Sequence, residues 1–254
     1  MLLNGKKALI FGVANDRSIA YGVAKAFKEH GASLAFGYPG EAIRKRVEPI
    51  SEELGGDFVF PCDVTSDEDI AAAAAIVREK WGQVDVLVHS VAYASQDDLK
   101  GRYVDTSRAG FALALDVSAF SLVALCKAFD PMFSQDASVM TMSYLGAERV
   151  ITSYNVMGVA KAALECSVRY LASDLGVKGV RVNAVSAGPL KTLAATGISG
   201  FKGFLPIVEE RAPLRRNITQ EDVAGTAVYL ASGLSSGVTG ETIYVDSGFN
   251  IMGI

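Results

Sequence analysis

The stretch Lys6-Lys7-Ala8-Leu9-Ile10-Phe11-Gly12-Val13-Ala14-Asn15-Asp16-Arg17-Ser18-Ile19-Ala20-Tyr21-Gly22 runs from a continuous apolar segment, through a glycine, into a small-residue turn and then a helical pattern. Ala8-Leu9-Ile10-Phe11 is apolar without alternation, which suits a strand covered on both faces rather than one with a wet side. The spacing Gly12-x5-Ser18-x-Ala20-x-Gly22 then places small residues at a strand-to-helix junction. A backbone of that kind approaches a diphosphate closely, and the amides and dipole of the helix start stabilise its negative charge. The more specific form, Gly-x-Gly-x-x-Gly, is absent, so this turn alone fits an ordinary structural glycine turn equally well.

Outward from this unit the same alternation repeats. Short β-branched or aromatic runs are expected to be strands at 6–12, 33–38, 57–60, 85–89, 138–142, 180–185 and 242–245. Between them, Ala- and Glu-rich segments at 18–30, 67–81, 107–129, 153–175 and 220–232 carry helical patterns, with Gly31, Gly82 and Gly176 placed as stops. Segment 41–54 is also helix-patterned, but Pro49 is expected to kink or end it near Glu48. The expectation is an α/β chain in one domain spanning 1–254: a doubly wound, seven-stranded parallel sheet with helices on both faces.

Composition narrows the class of function. With 254 residues, half of them hydrophobic, the chain can bury a sizeable core. A net charge of −4 gives no global attraction to nucleic acid or anionic lipid. Cys62, Cys126 and Cys166 are odd in number and widely spaced, which argues against a disulfide framework or a zinc site and for a reducing compartment. The first residues lack a signal-peptide pattern, and the longest uncharged run, Val223–Gly240, is too rich in Gly and Ser for a membrane span. A cytoplasmic, metal-free protein that binds neither nucleic acid nor membrane is expected.

Three further clusters fall at the carboxyl ends of expected strands, where doubly wound sheets bind ligands. Asp63-Val64 offers a carboxylate for an adenine amino group, although an Asp there serves a helix cap almost as readily. Ser90-Val91-Ala92 lets the chain pass beneath a nicotinamide ribose, and Ser186-Ala187-Gly188-Pro189-Leu190 is in position to wrap a nicotinamide amide. After the second strand, Tyr38-Pro39-Gly40-Glu41 carries no cation before Arg44, and Glu41 would repel a 2′-phosphate. NADH is therefore expected over NADPH.

Tyr154 and Lys161 lie seven residues apart on an expected helix, within about 20° of one direction and ~10 Å apart along the axis. A lysine on that face could hold a cofactor ribose while its charge favours polarisation or ionisation of the phenol. The spacing alone also fits one interfacial Tyr and one snorkelling Lys.

Tyr144-Leu145-Gly146-Ala147-Glu148-Arg149, followed by Tyr154-Asn155-Val156-Met157-Gly158-Val159-Ala160-Lys161, closely resembles the enoyl-[acyl-carrier-protein] reductases of type II fatty acid synthesis, divergent members of the short-chain dehydrogenase/reductase superfamily. The similarity spans the chain, through the Gly12 turn, Asp63-Val64, His89-Ser90-Val91, Val180–Pro189 and Val245-Asp246-Ser247-Gly248-Phe249. Ketone-reducing members have Tyr-x3-Lys, whereas residue 158 here is Gly and the motif is Tyr-x6-Lys.

The resemblance implies a Rossmann fold, catalysis by Tyr144, Tyr154 and Lys161, and NADH bound by Gly12, Ala14, Ser18, Ile19, Asp63, Val64, Ser90, Val91, Ala92, Lys161, Leu190, Thr192, Leu193 and Ala194. It implies substrate contacts from Ala94, Tyr144, Tyr154, Met157, Ala194, Ile198 and Phe201, with 192–214 as a substrate-binding loop or helix that also presents Phe204. It also implies an acyl carrier protein as partner, a homotetramer, and apolar helices at 107–129 and 153–175 meeting neighbouring subunits. Lys191, Lys202, Arg211, Arg215 and Arg216 outnumber Glu209 and Glu210 around that segment, which offers an acidic carrier a docking site. Pro39 departs from the family's pattern near the adenosine ribose, and Thr152-Ser153 replaces a Pro-containing approach to the tyrosine, leaving Ser153 as the expected helix N-cap.

Competing readings are a 3-oxoacyl or ketone reductase, which would carry its lysine at residue 158, and a non-catalytic dinucleotide sensor, since a fold alone does not establish chemistry. Gly233-Leu234-Ser235-Ser236-Gly237 formally matches a hydrolase elbow, but it follows a helix, and both His30 and His89 precede it.

Overall fold

A computed structural model of the protein describes residues 1–192, 195 and 201–253. Its strands are β1 (Lys7–Phe11), β2 (Ser33–Tyr38), β3 (Phe58–Pro61), β4 (Val84–His89), β5 (Phe133–Ser143), β6 (Arg181–Ala187) and β7 (Thr242–Val245). All neighbours pair in parallel, in the order β3-β2-β1-β4-β5-β6-β7. The α-helices are α1 (Ile19–Glu29), α2 (Glu41–Glu53), α3 (Asp67–Lys80), α4 (Arg108–Leu115), α5 (Ser121–Phe129), α6 (Val156–Gly176), α7 (Phe201–Arg211) and α8 (Gln220–Ala231). The expected Rossmann sheet is the one observed.

The absence of polar alternation in the strands has a direct structural cause. Leu9 and Phe11 of β1 enter a core shared with α3, α5 and α6, while Ala8 and Ile10 enter a second core shared with α1, α2 and α8. In β4, Leu87 faces the first core, and Val86 and Val88 the second. Successive side chains point to opposite faces, so a sheet buried on both sides needs apolar residues at every position. Phe11 anchors the first core through an edge contact with Phe60 at 5.8 Å and a tilted one with Phe129 at 6.2 Å.

Several local expectations are corrected. α2 fills the expected segment and runs through Pro49 to Glu53, so of the two outcomes considered for Pro49, a kink or an end near Glu48, the helix does not end there. Pro49 and Lys45 lie on the exposed side, so the carbonyl that loses its helical partner faces water. β5 begins at Phe133, five residues before the expected 138, because its first half is a polar extension that pairs with Val84 across a register shift. α6 begins at Val156, with Asn155 rather than Ser153 at its N-cap and no side-chain cap, and Gly179, not Gly176, takes the left-handed conformation after it.

The segment expected as one helix over 107–129 is divided into α4 and α5 by a π-helical turn, Asp116–Phe120. Val223–Gly240 is the longer uncharged run, but Arg108–Met132 is the more apolar segment, long enough by composition to cross a membrane. Of its most apolar window 56% is buried, and Ala114, Val117, Ala119, Leu122, Leu125 and Phe129 pack into the protein core.

Candidate active site

Strand order reverses between β1 and β4, and the chains leaving those two strands nearly touch. Gly12 has φ +99°, and a Cβ there would lie 2.0 Å from the Ser90 carbonyl oxygen, while the Ser90 amide donates to the Phe11 carbonyl at 3.1 Å. Only glycine fits that crossing. It joins two of the expected cofactor segments, the Gly12 turn and Ser90-Val91-Ala92, at the switch point.

Beyond Gly12, the Ser18 hydroxyl accepts from the Ala14 amide at 3.0 Å and the Asn15 amide at 3.1 Å. Ser18 therefore uses its oxygen on the turn before α1 and makes no side-chain cap to α1, whose first turn also lacks an acidic residue. Ser66, Ser107 and Thr219 do cap α3, α4 and α8. A helix start that its own chain leaves uncapped, beside a glycine crossing that no Cβ could occupy, fits the diphosphate of a dinucleotide.

The other expected cofactor residues take defined positions. Asp63 accepts from the Thr65 amide and hydroxyl through Oδ1 alone, and since Ser66 caps α3, the capping role considered for Asp63 falls away. Val64 is buried and Val91 packs on the first core, while Ala92 is exposed. Leu190 packs on the second core, and the Thr192 hydroxyl accepts from the Ala195 amide at 3.1 Å. Arg44 is engaged by Glu41 at 3.5 Å and Glu48 at 2.7 Å. Leu193, Ala194 and Ile198 lie outside the described residues, as does the side chain of Phe201, whose backbone opens α7.

Of the expected substrate residues, Ala94, Tyr144, Tyr154 and Met157 are brought together in one small apolar cluster. Leu99, Ala114, Ile151 and Val156 belong to the same cluster and were not foreseen. The tyrosine rings meet edge to face, with centroids 5.0 Å apart and planes at 70°. Tyr154 is not on α6, as the shared-face reading requires, but in the turn before it. Positive φ at its neighbours, Ser153 (65°) and Asn155 (42°), shapes that turn. Gly146 keeps the pair close: a Cβ there would stand 2.4 Å from the Tyr154 ring.

Three successive residues at the end of β5 each meet a different residue of the α6 region. The Met142 carbonyl accepts from Lys161 Nζ at 2.7 Å, the Ser143 hydroxyl donates to Glu165, and the Tyr144 ring meets Tyr154. Lys161 and Glu165 are both buried, one helical turn apart. Burial lowers the Lys161 ammonium to about 8, against an opposing pull from Glu165. Burial raises the Glu165 carboxyl, and it pushes the Tyr144 phenol up to about 12. Tyr154 is raised as well, first by burial and then by Tyr144 and Glu165, so near neutral pH it is a protonated donor, in keeping with polarisation of the phenol, the first of the two effects considered for the lysine's charge.

Two supports escaped the sequence reading. Ser118, fully buried in the π turn, accepts from the Tyr93 amide at 3.0 Å and donates to the Tyr93 carbonyl at 3.1 Å, which fixes the loop carrying Ala94. A π turn has no compositional signature, although such turns concentrate at functional sites. His89 bonds Thr141 through Nδ1 at 2.7 Å and Ser121 through Nε2 at 2.8 Å. Burial, aided by the Lys161 charge, lowers it to about 3, so this histidine stays neutral and serves as a tie between β4, β5 and α5. Ser235 of the formal hydrolase motif is buried, donating to Leu230 and accepting from Arg181, out of reach of any substrate.

The chain has close relatives of known kind. The family described as Enoyl-(Acyl carrier protein) reductase matches residues 12–250. Enoyl-[acyl-carrier-protein] reductase [NADH] 1 of Rhizobium meliloti is 52% identical over 253 residues, covering 100% of this chain and 93% of the relative. The Bacillus cereus enoyl-acyl carrier protein reductase, crystallised with NADP+ and indole naphthyridinone, superposes with a TM-score of 0.98 at 50% identity, covering 100% of this chain and 99% of that one. The enzyme of Anaplasma phagocytophilum in complex with NAD gives 0.96 at 47% identity, covering 100% and 97%. With a glycine crossing at the switch point, a tyrosine pair after β5 and a buried lysine on α6, and matched by the family over residues 12–250 and by these relatives along its whole length, the chain belongs to the enoyl-(acyl carrier protein) reductase family.

Proposed function

We propose that this protein reduces the carbon-carbon double bond of trans-2-enoyl thioesters carried on acyl carrier protein, using NADH, in type II fatty acid biosynthesis. The observation that carries the reading is the Tyr144–Tyr154 ring pair that follows β5, with Lys161 bonded to the Met142 carbonyl two residues before Tyr144. In this reading residues 1–254 form a single cytoplasmic reductase domain, with 192–214 as the segment that covers substrate.

Bound NADH would supply the hydride, which adds to the substrate's β-carbon. The charge that develops on the thioester oxygen needs donors already in place, and a donor fixed in an apolar site stabilises it without reorganisation. Tyr154, neutral and buried, gives the principal hydrogen bond, and Tyr144 assists from the adjoining edge. Lys161 holds the nicotinamide ribose, and its cation favours the enolate; protonation at the α-carbon completes the reduction. Gly12, Ala14, Ser18 and Ile19 receive the diphosphate, Asp63 and Val64 the adenine, Ser90, Val91 and Ala92 the ribose, and Leu190, Thr192, Leu193 and Ala194 the nicotinamide. Ala94 and Met157, with Ala194, Ile198 and Phe201, line the acyl chain.

Lys191, Lys202, Arg211 and Arg215 support docking of an acidic carrier. Arg216 is committed to Asp222, at 2.6 and 2.8 Å, and contributes less to that surface than composition implies. Exposed Phe111, Phe120 and Tyr170, on α4, the π turn and α6, support a homotetramer joined through those helices. Light scattering that returns only monomer would contradict it.

The reading is tested by following NADH consumption with a crotonyl thioester beside an acetoacetyl thioester. Oxidation with the first and little with the second is expected; preference for the 3-oxo substrate would reject the reaction.

A further inference from the structure

The turn at residues 13–18 is held mainly by its own neighbours. The Ser18 hydroxyl takes two of its amides, the Asn15 carbonyl accepts from the Ser18 amide, and the Asn15 side chain accepts from the Arg17 amide at 3.0 Å. Among the described residues, its hydrogen bonds to a distant part of the chain both come from Gln220. The Gln220 Nε2 group donates to the Ser18 carbonyl at 2.6 Å and to the Asp16 carbonyl at 3.1 Å. Close packing supports the same joint: a Cβ on Gly22, in the first turns of α1, would lie 2.8 Å from Gln220 Cβ.

Gln220 is itself firmly placed. It is the first residue of α8, next to a capping box in which Thr219 and Asp222 bond reciprocally, and Arg216 grips that same Asp222 with two guanidinium nitrogens. Arg216 follows α7, which forms the second half of the proposed substrate segment. The cofactor turn is therefore bolted to the exit of that segment.

We infer that Gln220 is a positioning residue for NADH, its amide tying down two backbone carbonyls of the diphosphate turn so that the amides at the start of α1 are held for the anion. This rests on the reading of residues 12–19 as the diphosphate site. A carbonyl dipole at an anion site opposes binding, and a donor that engages two of them both orients the loop and offsets that opposition.

Gln220→Met keeps length and helix propensity but removes the donor, and Gln220→Glu replaces the donor with a charge of the wrong sign. NADH Kd, measured by fluorescence titration, should rise about three- to tenfold in Gln220→Met and further in Gln220→Glu. Both kcat at saturating NADH and KM for a crotonyl thioester should stay within about twofold. Unchanged NADH Kd in both folded variants, with wild type binding normally, would overturn the inference. So would a parallel loss of kcat, both KM values and thermal stability, or loss of the fold in both variants, since each marks a general structural bolt. Wild-type protein that failed to bind NADH would instead overturn the cofactor site itself.

Discussion

Gly158 lies directly beneath the carbonyl of Gly146: a Cβ at residue 158 would stand 2.7 Å from that oxygen. Residue 158 is where a Tyr-x3-Lys enzyme carries its lysine, so in this backbone the ketone reductase arrangement is sterically closed. Gly146 in turn backs the Tyr154 ring, so pressure on residue 158 is passed to the tyrosine pair. Gly158→Ala is expected to lower kcat with a crotonyl thioester at least about tenfold while circular dichroism stays native, a loss of roughly 1.4 kcal/mol of transition-state stabilisation. Wild-type turnover in Gly158→Ala would show that the Gly146 carbonyl gives way freely.

The switch-point crossing makes a prediction about stability. Gly12→Ala must accommodate both φ +99° and a contact of 2.0 Å with the Ser90 backbone, neither of which a side-chain adjustment relieves. A loss of about 3–5 kcal/mol in denaturant unfolding is expected, with NADH binding abolished. A midpoint close to wild type would mean that the two strand ends separate at little cost.

Lys161 provides a pH test. Burial lowers its ammonium from 10.5 to about 8, while Glu165 one turn away partly opposes the shift, and His89, neutral across the working range, adds no charge. Below pH 8 the ammonium is present to hold a ribose hydroxyl, and above it the charge is lost. KM for NADH should therefore rise as pH climbs through about 8. Lys161→Arg, which keeps its charge, should flatten that rise, and Lys161→Ala should weaken NADH binding at every pH. A KM indifferent to pH between 7 and 9 in wild type would contradict the role.

Cofactor preference follows from Arg44. With its guanidinium shared between Glu41 and Glu48, this first cation after β2 is drawn away from a 2′-phosphate, so kcat/KM should favour NADH over NADPH. The Bacillus cereus relative crystallised with NADP+ makes the comparison informative. Glu41→Gln with Glu48→Gln should narrow the preference, whereas equal use of both cofactors by wild type would show that Arg44 reaches the phosphate despite its partners.

These sites were not equally legible in the sequence. The doubly wound sheet was readable because burial on two faces leaves unbroken apolar runs such as Ala8–Phe11, and Tyr154 and Lys161 were readable because their spacing is a motif. Ser118 was not, since its bonds to the distant Tyr93 backbone and the π turn that carries it leave no mark in composition or spacing. The position of Tyr154 was misjudged for a similar reason. Positive φ at Ser153 and Asn155 keeps Tyr154 in the turn before the helix, and helical periodicity cannot register it. Glu165 left a trace, four residues after Lys161 on the same helix, but its bond to Ser143 depends on the depth at which β5 ends.

The central claim is that the tyrosine pair supplies the donors for the enolate oxygen while Lys161 holds the cofactor. It is tested most directly by kcat with a crotonyl thioester in the double variant Tyr144→Phe/Tyr154→Phe, which removes two hydroxyls and almost no volume from the ring contact at 5.0 Å. Turnover should fall by about 10²–10³-fold or more with NADH Kd unchanged. Undiminished turnover in the folded double variant would contradict the account.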